Sequence, residues 1–318
     1  MKRFKDVEEL YHNDLKQALQ GLEKARSNVS FIYVFAYGVA VLSVLIGFVV
    51  IFDTDMFDDP VSGAMVLSIP SVLLFGYARS EKKKYANNFK NNVVAKLVEL
   101  LDPTWQYTYN GKIQESVFKK SKIFSKRYDR YSGDDLIEGT IGKTQFKLCD
   151  LYLTERVETE HTSRDVKVFS GLFAAIDFNK HLQNETFVYP DRSEKSFGKF
   201  AQKLQSNSRG DLVKLENNEF EKRFKVFSTD QVEARYILTP ALMERLVEMS
   251  KKLGDSISLS FIDSHVYLLV PFKNGLFEPN VHTSGVNIDD VYVLWSQLNI
   301  MNLIIDEMDL NTRIWTKE

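Results

Sequence analysis

The sequence is poor in the residues from which covalent, metal and catalytic sites are built. Of its 318 residues only Cys149 is a cysteine, so the chain can form no internal disulfide and no cysteine-rich zinc site. The five histidines are scattered, with no pair four residues apart, and no G-x-S-x-G nucleophile elbow occurs. A net charge of −2 does not indicate a nucleic-acid-binding protein. We therefore expect no metal, no cofactor and no nucleic-acid partner, and the sequence favours a protein that is not an enzyme.

Charged residues are also missing from a long stretch near the N-terminus. Residues 31–52, FIYVFAYGVAVLSVLIGFVVIF, contain no Asp, Glu, Lys, Arg or His. At about 1.5 Å per residue, a helix of this length crosses a hydrocarbon core of about 30 Å. A buried helix of a globular protein rarely lacks a polar face over six turns, and a signal peptide has a shorter apolar run. The pattern predicts a transmembrane helix.

A second uncharged run, residues 61–77, predicts a second span. It contains Pro70, which a membrane helix tolerates because neighbouring groups satisfy the freed carbonyl. A re-entrant or merely buried helix is the alternative. The link between the runs, residues 53–60, holds four aspartates and no lysine or arginine, whereas both outer flanks are basic. The positive-inside rule therefore predicts a hairpin with both chain termini in the cytosol.

Small residues follow one face of each predicted span. Such residues let helix backbones approach closely in lipid, which favours packing of the two spans on each other, with a larger homo-oligomer as the alternative. The candidate packing residues are Ala36, Ala40, Ser43 and Gly47 on the first span and Ala64, Ser68 and Ser71 on the second.

The remaining pattern predicts the domain organisation. Residues 1–30 are expected to form a cytosolic amphipathic helix, 31–78 the transmembrane hairpin and 79–103 a cytosolic helical stalk. From residue 104 to 318, short β-like runs are separated by turn residues. Thr239-Pro240 and Asn287 are typical helix starts. The prediction is an α+β cytosolic domain, with a mixed or antiparallel sheet and two packed helices, tethered by the hairpin.

A basic segment follows the predicted stalk. Residues 112–130 carry seven basic and two acidic side chains, interleaved with Phe118, Phe124 and Tyr128. Contact with anionic lipid is one interpretation, since each basic residue near such a surface contributes about 1 kcal/mol. Nucleic-acid binding and a plain solvated face are the alternatives. The candidate lipid-contact residues are Lys119, Lys120, Lys122, Lys126, Arg127 and Arg130.

One short stretch, GTIGKT at residues 139–144, resembles the end of a phosphate-binding loop. The G-x-x-x-x-G-K-[ST] motif requires its first glycine at position 137, where Ile137 stands, and the glycine at 139 comes two residues late. The residues after Thr144 alternate as in a strand, although a phosphate loop leads into a helix. We predict a β-hairpin turn at Gly142-Lys143 and no nucleotide site.

Several stretches together resemble the bacterial membrane proteins grouped as domain of unknown function 3137. They are Ser121–Tyr131 leading into GDDLIEGTIGKTQF, FSGLFAAIDFNK, NNEFEKRFKVFSTDQVEARYILTPALMERL at residues 217–246, and LFEP. The resemblance covers residues 104–280. It implies a bacterial source and is consistent with paired membrane spans, but it carries no activity and no catalytic residues.

These observations lead to one expected function and two alternatives. We expect an integral protein of the bacterial cytoplasmic membrane whose cytosolic domain binds a partner protein or lipid headgroups. The alternatives are a membrane-associated enzyme of unrecognised type and an accessory subunit of a transport or envelope complex.

Overall fold

The protein was analysed as a computed structural model. It describes residues 4–52, 60–159, 162–177, 181–191, 209–254, 256–272, 275–300 and 304, with the backbone alone for residues 4, 50–52 and 60–65. The chain divides into two compact units. The helical unit combines Met1–Leu101 with Phe277–Trp295, and the sheet unit combines Asp102–Leu276 with Ser296–Glu318. Residues 277–295, which lie inside the predicted 104–318 domain, are thus grouped with the N-terminal helices.

The helical unit is built from two long helical stretches. Helix α1 (Phe4–Leu10) passes through a π-helical turn, Tyr11–Leu15, into α2 (Lys16–Phe52). Helix α3 (Pro60–Phe89) passes through a second π-helical turn, Lys90–Val94, into α4 (Ala95–Leu101). Helices α2 and α3 contact each other. Away from the apolar runs, the buried side chains include Val7, Leu15, Leu19, Phe89, Val93, Leu97 and Val98.

The sheet unit contains an antiparallel sheet of nine strands within the described residues, in the order β1-β2-β3-β4-β9-β8-β5-β7-β6. Strands β3 and β4 are neighbours in this order and are 15 residues long each. The strands are β1 (Gln106–Thr108), β2 (Arg130–Ile141), β3 (Thr144–Glu158), β4 (Ser163–Asp177), β5 (Thr186–Pro190), β6 (Asp211–Val213), β7 (Phe224–Ser228), β8 (Ser258–Ile262) and β9 (His265–Pro271).

Five further helices lie among the described residues after β1. They are α5 (Glu115–Lys120), α6 (Asn218–Glu221), α7 (Gln231–Ile237), α8 (Pro240–Leu253) and α9 (Ile288–Leu298). Helix α8 begins as predicted, because the Thr239 hydroxyl accepts a hydrogen bond from the Leu242 amide at 3.3 Å and Pro240 takes the first helical position. The Asn287 side chain likewise accepts from the Asp289 amide at 3.1 Å at the start of α9. The predicted α+β class is confirmed, with an antiparallel sheet.

The main core of the sheet unit lies on the sheet face covered by residues 113–131. Phe173 on β4, Phe187 on β5 and Tyr267 on β9 are buried there, together with Phe118 from α5. The Phe118 ring meets the Phe173 ring edge to face, with centroids 5.0 Å apart, a geometry that aromatic pairs prefer. The apolar residues of the basic segment therefore belong to the core, and its charged residues remain outside.

Candidate functional site

The first apolar run forms an exposed surface on α2. Within the described residues one helical stretch, Lys5–Val49, is long and apolar enough to cross a membrane. Its large apolar side chains are mostly exposed, with Phe31 at 69% and Val44 at 71% of their full accessibility. A helix buried in a soluble core would not show this exposure. Contiguous exposed apolar surface of this extent marks contact with a membrane or another protein.

Helix α3 has a matching exposed face. Val66, Ile69, Val72, Leu73 and Tyr77 are all more than half exposed. The beginning of this run, residues 61–65, lacks described side chains, and the second span remains a prediction.

The small-residue face of α2 is its least exposed face along the apolar run. Ala36 and Gly47 are buried and Ala40 and Ser43 are half-buried, while the surrounding large residues are exposed. The Ser43 hydroxyl donates to the Val39 carbonyl at 2.9 Å, which satisfies its polar group within the helix.

On α3 the candidate packing residues differ among themselves. Ser71 is buried and donates to the Ser68 carbonyl at 2.7 Å, whereas the Ser68 side chain is exposed. The side chain of Ala64 lies outside the described part of the structure. Tyr37 of α2 meets Phe75 of α3 edge to face, with ring centroids 5.0 Å apart.

Five of the six candidate lipid-contact residues form ion pairs inside the sheet unit. Lys126 is exposed and pairs with no carboxylate of the described residues. The pairs, with their nitrogen-to-oxygen distances, are Lys119–Glu115 (2.8 Å), Lys120–Asp263 (2.9 Å), Lys122–Glu185 (2.5 Å), Arg127–Asp129 (3.1 Å) and Arg130–Asp165 (2.8 Å). The acidic partners offset most of the positive charge of the segment.

A buried arginine holds the middle of this segment in place. The Arg209 guanidinium donates to the Tyr189 hydroxyl at 2.7 Å and to the Lys122 carbonyl, and it lies over the Phe187 ring at 5.1 Å from the centroid. The Tyr189 hydroxyl donates in turn to the Ile123 carbonyl at 3.2 Å. Burial raises the pKa of Tyr189, so the phenol stays neutral beside the arginine. Arg209 lies in no recognisable motif, so its role could not be predicted from the sequence.

The GTIGKT stretch forms the predicted turn between β2 and β3. Ile141 pairs with Thr144, and Gly142 adopts a positive φ of 62°. Gly139 lies in β2, where a Cβ atom would come within 2.5 Å of Trp105 Cδ1, so its small size serves packing. The prediction of a β-hairpin turn is confirmed.

Cys149 lies in the core of the sheet unit. Burial raises the pKa of its thiol to about 12, which keeps the sulfur protonated and unreactive near neutral pH.

Residues 277–290 form a segment, here called the strap, that contacts the helices of the helical unit. The Arg26 guanidinium donates to the Val281 carbonyl at 2.7 Å, and the Gly285 amide donates to the Glu23 carboxylate at 3.3 Å. Val281 is buried together with Val29 and Tyr85. These residues are more than 180 positions apart in the sequence from their strap partners, and sequence periodicity alone gave no sign of the contact.

Polar contacts at both π-helical turns also reach the strap. The Tyr11 hydroxyl donates to the Val286 carbonyl at 3.2 Å, and Lys90 Nζ lies 2.8 Å from Glu278 Oε1. Burial raises the pKa of Tyr85 to about 12. π-Helical turns redirect side chains and are frequent at functional positions. Here they direct Tyr11 and Lys90 toward the strap.

The described residues form an α+β protein with an antiparallel sheet, and among them one helix is long and apolar enough to cross a membrane. Residues 167–310 match the family model described as "Protein of unknown function (DUF3137)". This is the family that the sequence resembles, so the resemblance is confirmed for these residues. The match begins later and ends further along the chain than the 104–280 inferred from the sequence.

No curated protein matches the chain. The crystal structure of the mycobacterial trehalose monomycolate transport factor A, TtfA, is similar over 68% of this chain and 94% of its own, with 10% identity and a TM-score of 0.32. A likeness at that TM-score carries no argument about this chain.

Proposed function

We propose that this chain is a non-enzymatic protein of the bacterial cytoplasmic membrane whose cytosolic sheet domain binds a partner protein. Residues 31–52 and 61–77 would cross the membrane as a hairpin, with residues 1–30 and 79–318 in the cytosol. The exposed apolar surface of α2 carries this proposal. Burial in lipid would explain why the large apolar side chains of α2 are not covered by the protein. The buried small residues on the opposite face of α2 give α3 a surface to pack against.

The ion pairs of the basic segment favour a protein over lipid as the ligand of the sheet domain. Attraction to an anionic membrane grows with unbalanced positive charge. Five of the six candidate cations have a carboxylate within 3.1 Å. Anionic lipid would have to compete with these carboxylates, whereas a protein surface can pair with both signs of charge.

The proposed topology can be tested by cysteine labelling. Cys149 is buried and its thiol is protonated, so a Cys149→Ala chain provides a clean background. In that background we would introduce Asp55→Cys in the acidic link and Lys126→Cys in the exposed basic segment. In intact spheroplasts a membrane-impermeant maleimide should label only the Asp55→Cys chain, and after lysis it should label both. Labelling of Lys126→Cys before lysis, or of Asp55→Cys only after lysis, would contradict the hairpin.

Partner binding can be tested with the tagged full-length chain in its own host. After crosslinking and purification in mild detergent, mass spectrometry should find a stoichiometric protein crosslinked to lysines of residues 102–276. An unrelated two-span protein, purified in parallel, is the control. If no such protein is recovered, the choice of a partner protein is overturned, and the alternative of a membrane-associated enzyme of unrecognised type gains support.

A further inference from the structure

Helix α3 carries a group of cations directly after its apolar face. Residues 79–84 contain four basic side chains and one acidic one. Lys84 pairs with Glu81 at 2.7 Å, whereas Arg79, Lys82 and Lys83 pair with no carboxylate of the described residues. We call Arg79, Lys82 and Lys83 the collar. The collar keeps its unbalanced positive charge, in contrast to the basic segment of the sheet unit.

Arg79 and Lys83 of the collar continue the exposed face of α3, and Lys82 lies half-buried beside that face. Val72, Gly76, Arg79 and Lys83 are spaced by four, three and four residues, which places them along one side of a helix, and all of them are exposed. The opposite side holds the buried residues Ser71, Ala78 and Tyr85. One side of α3 would therefore face lipid along its apolar part and carry cations directly after it.

The distances along the helix match the headgroup layer of a bilayer. Tyr77 is the last exposed apolar residue, and Arg79 and Lys83 follow it by about 3 Å and 9 Å at 1.5 Å per residue. The headgroup region extends roughly 5–7 Å beyond the hydrocarbon core on each side. Long basic side chains can adjust by a few ångströms along the membrane normal, so both cations reach phosphate depth.

Arg26, the basic residue nearest to the apolar run of α2, is engaged within the protein. Arg26 binds Glu23 at 2.9 Å and the Val281 carbonyl at 2.7 Å. Its positive charge is therefore less available to a lipid phosphate than the charges of the collar.

We propose that Arg79, Lys82 and Lys83 bind the phosphate headgroups of anionic phospholipids and so form the lipid site of this protein. This inference rests on the proposed membrane anchoring. It assigns the headgroup contact to the collar and away from the basic segment at residues 119–130.

The test compares two triple variants of the full-length chain that each remove three positive charges. One is Arg79→Gln, Lys82→Gln, Lys83→Gln, and the matched control is Lys119→Gln, Lys120→Gln, Lys122→Gln. Native mass spectrometry in mild detergent would measure the binding of phosphatidylglycerol, with phosphatidylcholine as the neutral lipid. Each basic residue near an anionic surface strengthens the attraction about fivefold. The collar variant should therefore bind phosphatidylglycerol at least about tenfold more weakly, with phosphatidylcholine binding unchanged.

The outcomes separate this inference from the proposed function. The control variant should bind phosphatidylglycerol as the unaltered chain does. Equal losses in both variants, a loss in the control alone, or undiminished binding by the collar variant would overturn the assignment. Alkaline carbonate washing of membranes gives the independent check. A wild-type chain released by carbonate would overturn the membrane anchoring itself, whatever its affinity for lipid.

Discussion

Lys90 and Glu278 form an ion pair that joins a π-helical turn to the strap, with 2.8 Å between the lysine Nζ and the carboxylate Oε1. The lysine side chain is 3% exposed and the glutamate side chain 39%. A buried ammonium that loses part of its compensation is costly, whereas an exposed ion pair contributes little. The pair should therefore stabilise the strap more than an exposed ion pair would.

Glu278→Gln should lower the free energy of unfolding by about 1–3 kcal/mol, because it leaves a buried ammonium less well compensated. The matched control is Glu248→Gln, which removes the partner of Lys251 in an exposed pair of 2.6 Å on α8 and should leave the free energy of unfolding nearly unchanged. Thermal unfolding of both full-length variants in the same detergent measures the difference. Equal shifts would show that the Lys90–Glu278 pair behaves as a surface contact.

Gly139→Ala should destabilise the sheet unit by about 1–3 kcal/mol, because the new Cβ atom would overlap the Trp105 ring. That ring cannot move freely, since it packs edge to face on Phe146 and donates to the Thr140 carbonyl at 3.3 Å. Lys143→Ala, in the adjacent turn, should leave stability unchanged. Denaturant unfolding followed by tryptophan fluorescence would compare the two. Tight ATP or GTP binding that Lys143→Ala abolishes would contradict the assignment of GTIGKT as a turn.

The sequence predicted well those features that depend on neighbouring residues. Thr239 and Asn287 start helices because their side chains accept hydrogen bonds from amides two or three residues ahead. The turn at Gly142 is likewise local. The same holds for the exposed apolar face of α2, which follows from an uninterrupted run of apolar residues.

Features that depend on distant residues could not be predicted. The acidic partners of the basic segment include Asp165, Glu185 and Asp263, which only the strand order brings near it. The strap contacts α2 and α3 from more than 180 residues away, and no periodicity encodes such a contact. The two candidate packing serines of α3, Ser68 and Ser71, differ for a geometric reason, since of these two only Ser71 is turned away from the exposed side.

Arg209→Ala should loosen the basic segment, because the Lys122 carbonyl would lose its guanidinium donor and the Phe187 ring its stacked cation. Arg209→Lys should restore little, since an ammonium cannot donate in the same planar fork while lying over a ring. Hydrogen exchange of residues 119–130 should speed up at least about tenfold in both variants, equivalent to about 1.4 kcal/mol. Arg235→Ala on exposed α7 is the control and should leave that exchange unchanged. Unaltered hydrogen exchange of residues 119–130 in Arg209→Ala would show that Arg209 does not hold the basic segment in place.

Ala36→Leu should weaken the packing of α2 on α3, because Ala36 is fully buried among the small residues of α2 and a larger side chain has no space there. Gly38→Leu is the matched control, since Gly38 is exposed and nothing lies within 4 Å of a Cβ atom at that position. Both changes add bulk and apolar surface within one turn of the same helix, so insertion into the membrane should be equal. Thermal unfolding in lipid nanodiscs should show a loss of about 1–3 kcal/mol for Ala36→Leu alone. Equal stability of the two variants would mean that the small-residue face does not form the helix contact, and a change of oligomeric state in Gly38→Leu alone would place a second interface on the opposite side of α2.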